Sequence, residues 1–265
     1  MLGISTAIVT RNRPFFLRDY LKSLEGMKLN ITVFYLGDES GYEEAYMELA
    51  EAFKDVKFVK QADGMSDYMR QWLKEAEDYV FIGVDDNICK GPFDINAIIS
   101  FMESNKDVFA FNIGADPNTK RCPDMEGSIG EYERHGDIVV YRPSTSTGMW
   151  GQKYVWAVST FIHRKKDVEK AWNFQDFAKI NQLESGGRHV VPHVEKMACF
   201  AYAPLTNVHV ESAYRENLVG IIKRVTDAEA FVLMKDREID IEKTFRERDK
   251  FGTTNVMELF LKPMT

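Results

Sequence analysis

The chain has 265 residues, 45% of them hydrophobic and 12% aromatic, which is enough apolar material for one large domain or two fused halves with a core. A formal charge of −7 makes an acidic surface that repels phosphate backbones and argues against broad nucleic-acid binding. Cys89, Cys122 and Cys199 lie far apart with no C-x-x-C pair, which argues against a disulfide framework or a cysteine zinc site and for reduced thiols in a cytoplasmic setting.

Ile4–Thr10 (ISTAIVT) is rich in β-branched residues and predicts a buried strand. It is too short for a signal peptide and ends in Arg11 and Arg13. No apolar stretch approaches the ~20 residues that span a bilayer. From Phe15 to Leu24, apolar residues at Phe16, Leu17, Tyr20, Leu21 and Leu24 form a helical stripe. Ile31–Leu36 predicts a second strand, closed by Gly37-Asp38-Glu39-Ser40-Gly41. Tyr42–Phe53 predicts a helix, Val56–Val59 a short strand and Asp67–Glu77 a third helix. Tyr79–Val84 (YVFIGV) predicts a fourth strand, followed at once by Asp85-Asp86-Asn87. Strands that alternate with helices imply a parallel sheet with right-handed crossovers, and such sheets bind ligands at the carboxyl ends of their strands. Thr10, Asp38 and Asp85 fall at such ends.

Further on, Phe93–Glu103 predicts a helix and Val108–Ile113 a strand. Gly114–Gly136 reads as loop, Asp137–Arg142 as a strand, and Ser144–Gly151 as a polar turn-rich segment. Trp156–His163 predicts a strand, Lys166–Phe174 and Phe177–Leu183 helices, and Arg188–Val191 a short strand. Tyr214–Phe251 is charge-dense with partial helical periodicity. These patterns divide the chain into a nucleotide-binding half (1–113), a second half of the same domain (114–211) and a C-terminal helical extension (212–265).

The Asp85-Asp86-Asn87 run carries the chemistry. Carboxylates beyond a strand end can coordinate a hard cation such as Mn²⁺ or Mg²⁺ through oxygen, and the cation neutralises charge on a leaving diphosphate. The alternative is an ordinary Asp/Asn turn. Trp150, Tyr154, Trp156 and Trp172 cluster in the second half; aromatic faces stack on sugars and bases, but most of these residues read as core, with Trp150 between Met149 and Gly151 the exception. Arg164-Lys165-Lys166 reads as solvated helix charge. No G-x-x-x-x-G-K-[ST], H-E-x-x-H, G-x-S-x-G or G-x-G-x-x-G pattern occurs, against P-loop, zinc peptidase, α/β-hydrolase and dinucleotide chemistry.

Residues 4–90 resemble the nucleotide-sugar-binding half of family 2-like glycosyltransferases of the GT-A fold. Ile8-Val9-Thr10-Arg11-Asn12-Arg13-Pro14 is similar to that family's first strand and turn. Leu36-Gly37-Asp38-Glu39-Ser40 resembles its acidic loop after the second strand, which contacts base and ribose, with Gly37 standing where an acid is common. Gly64–Arg70 resembles the segment that opens the third helix, and makes Arg70 a diphosphate contact. Asp85-Asp86-Asn87 resembles the D-x-D region. The resemblance implies Asp85 at the ribose and Asp86, with Asn87, at the metal and phosphates. Val158–Arg164, Phe174-Gln175-Asp176-Phe177 and Gly186–Pro192 resemble the acceptor side, and imply Asp176 as the general base of an inverting transfer. Val208-His209-Val210 falls where a late histidine often completes the metal site in that family, with His193 at a strand end as a competing late histidine.

The expectation is therefore a GT-A fold with a mostly parallel sheet flanked by helices, and a metal-dependent glycosyltransferase using Mn²⁺ or Mg²⁺. The nucleotide-diphosphate sugar, a UDP-sugar first, would meet Thr10, Arg11, Asp38, Arg70, Asp85 and Trp150. The acceptor is a glycan, protein or other hydroxyl. The C-terminal helices are a candidate homo-oligomer contact. Two rivals are a nucleotidyltransferase, against which the missing glycine-rich loop after the first strand argues, and a catalytically inactive GT-A-like binding protein.

Overall fold

The computed structural model describes residues 3–11, 13–37, 42–62, 65–85, 87–89, 91–115, 117, 132–142, 160–172 and 194–207. In chain order they form β1 (Ile4–Arg11), α1 (Pro14–Ser23), β2 (Leu29–Leu36), α2 (Tyr42–Ala52), β3 (Lys57–Lys60), α3 (Met65–Glu75), β4 (Tyr79–Val84) and β5 (Asn87–Cys89). Then follow α4 (Ile95–Ser104), β6 (Val108–Asn112), β7 (Tyr132–His135), β8 (Ile138–Tyr141), β9 (Phe161–Arg164), α5 (Lys165–Trp172), β10 (Lys196–Phe200) and β11 (Leu205–Asn207).

The main sheet has the order β3-β2-β1-β4-β9-β6-β10-β8-β7. Strands β1, β2, β3, β4, β6, β7 and β10 run one way, and β8 and β9 the other. The expected α/β fold with a mostly parallel, helix-flanked sheet is therefore present. Strand β9 lies between β4 and β6, so residues from beyond the midpoint of the chain complete the centre of the first half's sheet.

Alternation along β1 explains the two cores. Ile4 and Ile8 face the layer built by Leu17 and Tyr20 of α1, Tyr46 of α2 and Ile98 of α4. Ala7 and Val9 face the other layer, with Met69 and Trp72 of α3 and Val168 and Trp172 of α5. Covered on both faces, β1 is buried without a break from Ile4 to Thr10 and is rich in apolar and β-branched residues, as suits a central parallel strand. Trp172 is thus a core residue, and so is Trp72. Helix α1 starts on Pro14, whose fixed φ suits a first-turn position that has no intrahelical N–H bond to lose. Gly26, at φ +80°, turns the chain back into β2. Helix α4 starts on Asp94, whose side chain accepts from the Ala97 amide at 3.0 Å.

Three departures from the sequence reading have physical causes. Tyr132–His135, expected as loop, is edge strand β7, joined to β8 through Gly136 at φ +65°. All four of its residues are exposed, so no alternation of apolar and polar residues marked it. The short strands β5 and β11 escaped notice because each is three residues long and exists only by pairing with the other. The third departure concerns Arg164 and Lys165, which are not solvated charge. Arg164 is buried, and its guanidinium donates to the carbonyls of Met102 and Asn105 at the C-terminal end of α4 and of Val108 at the start of β6. Lys165 Nζ donates to the carbonyls of Lys74 and Ala76 at the end of α3, at 2.9 and 3.0 Å. Consecutive cations thus close two helices on opposite faces of the sheet, where the helix dipole favours positive charge. Replacing Arg164 by Met strips a buried charge-assisted cap and should cost about 3 kcal/mol in urea unfolding.

His163 lies within the sheet, paired with Val80 and Ala110, its ring 5.5 Å from that of Phe109. Burial pushes its imidazole down to about 3. The folded state stays neutral there while the unfolded chain takes up a proton below about 6.5. Stability should therefore fall as pH drops from about 6.5 toward 3, by up to ~1.4 kcal/mol per pH unit from this residue. In thermal unfolding, His163→Phe should show a shallower acid-side loss of Tm than the parent between pH 6.5 and 4.

Candidate functional site

The carboxyl ends of β3, β2, β1 and β4 line one edge of the sheet. Register places Thr10 beside Tyr35, and Tyr35 beside Lys60. Val9 pairs with Val84, so Asp85 follows on the other side of Thr10. Parity turns Thr10 toward the α1–α2 layer, the same way as Ile8. There its Oγ1 donates to Asp85 Oδ2 at 2.7 Å and lies 2.8 Å from the Tyr46 hydroxyl. The Arg13 amide donates to that same hydroxyl at 3.0 Å, and Arg13 Nη1 donates to Asp85 Oδ1 at 3.3 Å. Thr10, Tyr46 and Asp85 are all buried, and Asp85 is only 4% exposed.

Burial raises the Asp85 carboxyl above its ordinary range, while Arg13 and the Thr10 hydroxyl pull it back down. Tyr46 is pushed well above the usual phenol value by burial and then by the Asp85 charge. The guanidinium on one oxygen and the hydroxyl on the other offset part of the burial that disfavours the charged carboxylate.

Immediately after Asp86 in the sequence, the chain enters β5. Asn87 is fully buried at its start. The Cys89 amide donates to Ser23 Oγ at the end of α1, at 3.0 Å. Strand β11 runs antiparallel to β5, pairing Leu205 with Cys89 and Asn207 with Asn87. The Leu205 amide also donates to the Ile113 carbonyl at 3.0 Å. A segment from late in the sequence is thereby pinned beside Asn87–Cys89.

Of the sequence-predicted site residues, Thr10 and Asp85 are brought together. Arg11 is exposed at the end of β1. Arg70 lies on α3 and pairs with Asp67 at 2.9 Å. Asn87 sits in the β5–β11 ladder. Asp38, Asp86, Trp150, Asp176 and His209 lie outside the described residues. Among the described residues, no group of three His, Cys, Asp or Glu side chains is placed to hold a metal. No helix among them is long and apolar enough to cross a membrane.

Arg13 and Tyr46 were not singled out as site residues by the sequence. Arg13 entered only with the first strand and its turn, and Tyr46 only as part of the Tyr42–Phe53 helix. No sequence signal marks the contact between Thr10 and Tyr46, which joins elements 36 residues apart. Gly37 also gains a reason. A Cβ there would stand 2.9 Å from the Glu43 amide nitrogen and 3.2 Å from Tyr42, so the start of α2 leaves no room for the acid expected by resemblance.

Neither a protein-family profile nor a curated protein sequence matches the chain. Solved structures similar to it include a mannosyltransferase from Pyrobaculum calidifontis in complex with GDP-Man and Mn²⁺, 12% identical, covering 97% of this chain and 77% of that one, with a TM-score of 0.47. Another is the 4-diphosphocytidyl-2C-methyl-D-erythritol synthase from Anaerococcus prevotii, 11% identical, covering 80% of this chain and 93% of that one, with a TM-score of 0.41. A third is the galactosyltransferase LgtC in complex with donor and acceptor sugar analogues, 12% identical, covering 72% and 70%, with a TM-score of 0.36.

Asp85→Asn keeps the shape but offers one acceptor oxygen where two donors converge. It should lower stability by about 1–3 kcal/mol in urea unfolding. An unchanged midpoint would mean that the carboxylate does not tie β1, α1 and β4 together.

Proposed function

We propose that the chain is a metal-dependent glycosyltransferase that moves a sugar, with inversion, from a nucleoside-diphosphate donor to a hydroxyl acceptor. A UDP-sugar is the first donor to test. One observation carries this reading. A plain Asp/Asn turn bonds to its own neighbouring backbone. The Asp85 carboxylate, besides its own backbone amide, bonds to Thr10 and Arg13, 75 and 72 residues away in sequence, at the carboxyl end of parallel strands. That edge is where open α/β sheets take ligands.

The roles follow from residue chemistry. Asp38 would read base and ribose. Asp85, with two lone pairs on each oxygen, can accept from a ribose hydroxyl while it holds Thr10 and Arg13. Arg11 and Arg70 would meet the diphosphate as cations, and Trp150 would stack on the sugar. Asp86, Asn87 and His209 would hold Mn²⁺ or Mg²⁺. Their oxygen and imidazole donors suit a hard-to-borderline cation, and β11 ends at Asn207, opposite Asn87 and two residues ahead of His209 in sequence. Such an ion, when bound, offsets negative charge on the leaving diphosphate. Asp176 would take the acceptor hydroxyl proton.

The test incubates purified protein with UDP-sugars, Mn²⁺ and candidate acceptors. Released UDP with transferred sugar supports the proposal, pyrophosphate indicates nucleotidyl transfer, and metal-dependent binding without turnover indicates an inactive binding protein. Asp86→Ala should reduce turnover by ~100-fold or more and abolish its dependence on Mn²⁺. Unchanged turnover in that variant would overturn the site.

A further inference from the structure

The four groups around Asp85 form a closed ring, and their proton inventory fixes its direction. The Arg13 guanidinium on Oδ1 matches an ionised carboxylate, which can only accept. The Thr10 hydroxyl has one proton, which it donates in a hydrogen bond to Asp85 Oδ2. Thr10 Oγ1 must then accept from Tyr46, whose hydroxyl has one proton to give. The Tyr46 oxygen in turn accepts the Arg13 amide. The ring therefore runs from the Arg13 backbone through Tyr46 and Thr10 to Asp85, and closes through the Arg13 side chain. Each donation polarises the next in a site shielded from water.

We propose that Tyr46 is the positioning residue of this site: from α2, its hydroxyl sets the turn after β1 through the Arg13 amide and sets the Asp85 carboxylate through Thr10. Tyr46 touches no substrate in this scheme. It acts through two groups on other elements, and the aromatic body that delivers its hydroxyl is held in the core against Tyr35, with ring centroids 4.7 Å apart. Phe at this position would fill the same core volume, so one oxygen separates packing from positioning. The deepened claim rests on the proposed donor site, because it concerns how Thr10 and Asp85 are presented to a nucleotide.

Two measurements test it. In the unaltered protein, hydrogen exchange should find the Arg13 amide protected, although it lies ahead of the first turn of α1. Exchange at the rate of an open loop would overturn the ring. The second is a double-mutant cycle on UDP binding with Mn²⁺. Tyr46→Phe should weaken binding ~10-fold when Thr10 is present, and by less than ~2-fold in the Thr10→Val background. A purely structural tyrosine would lower Tm in both backgrounds and leave the cycle additive, which overturns the proposal. If the unaltered protein binds UDP and Tyr46→Phe binds it equally well, the positioning role alone falls. If the unaltered protein binds no nucleotide with Mn²⁺, the donor site and the positioning role fall together.

Discussion

One buried carboxylate holds the candidate site together. Asp85 sits where β4 ends, under cover of α1 and α2, and an uncompensated charge there would be costly. Its compensation comes from the end of β1 and the turn before α1, and α2 holds both through the Tyr46 hydroxyl. None of these is near it in sequence. The charge thereby converts a desolvation cost into a geometric constraint, because Thr10 and Arg13 must stay where they reach it. Everything proposed about the strand-end edge depends on that arrangement, since it sets where the chain leaves β4 toward Asp86.

A second constraint works at the opposite end of the strands. Strand β9 runs antiparallel between β4 and β6, and its last residue, Arg164, with Lys165 after it, closes α4 on one face and α3 on the other. Two adjacent cations thus lock the helix layers to the sheet centre. The opposite strand ends are thereby left to the Asp85 ring and the β5–β11 pair. Rigidity at the amino ends of the parallel strands and polar chemistry at their carboxyl ends are complementary properties of one sheet.

Much of the first half was legible because its signals are local. The apolar runs of β1, β2 and β4 and the helical stripes of α1, α2 and α3 follow from burial on one or both faces. A parallel sheet then places Thr10 and Asp85 on one edge without further information. The second half was less legible for the same reason. Strand β7 is exposed and polar, and β5 and β11 stabilise each other across more than a hundred residues, so no window of sequence contains the cause. Arg164 misled because its neighbours in sequence are charged, whereas its neighbours in space are carbonyls.

The sequence by itself determined the α/β class, the order of the early elements and the strand-end placement of the acidic run, because periodicity and burial act within each segment. Tertiary structure decided which groups meet Asp85, that Tyr46 bonds to both of the residues that do, and that the chain returns to Asn87 through β11. Those outcomes depend on hydrogen-bond geometry between elements far apart in the chain, which hydrophobic pattern does not encode.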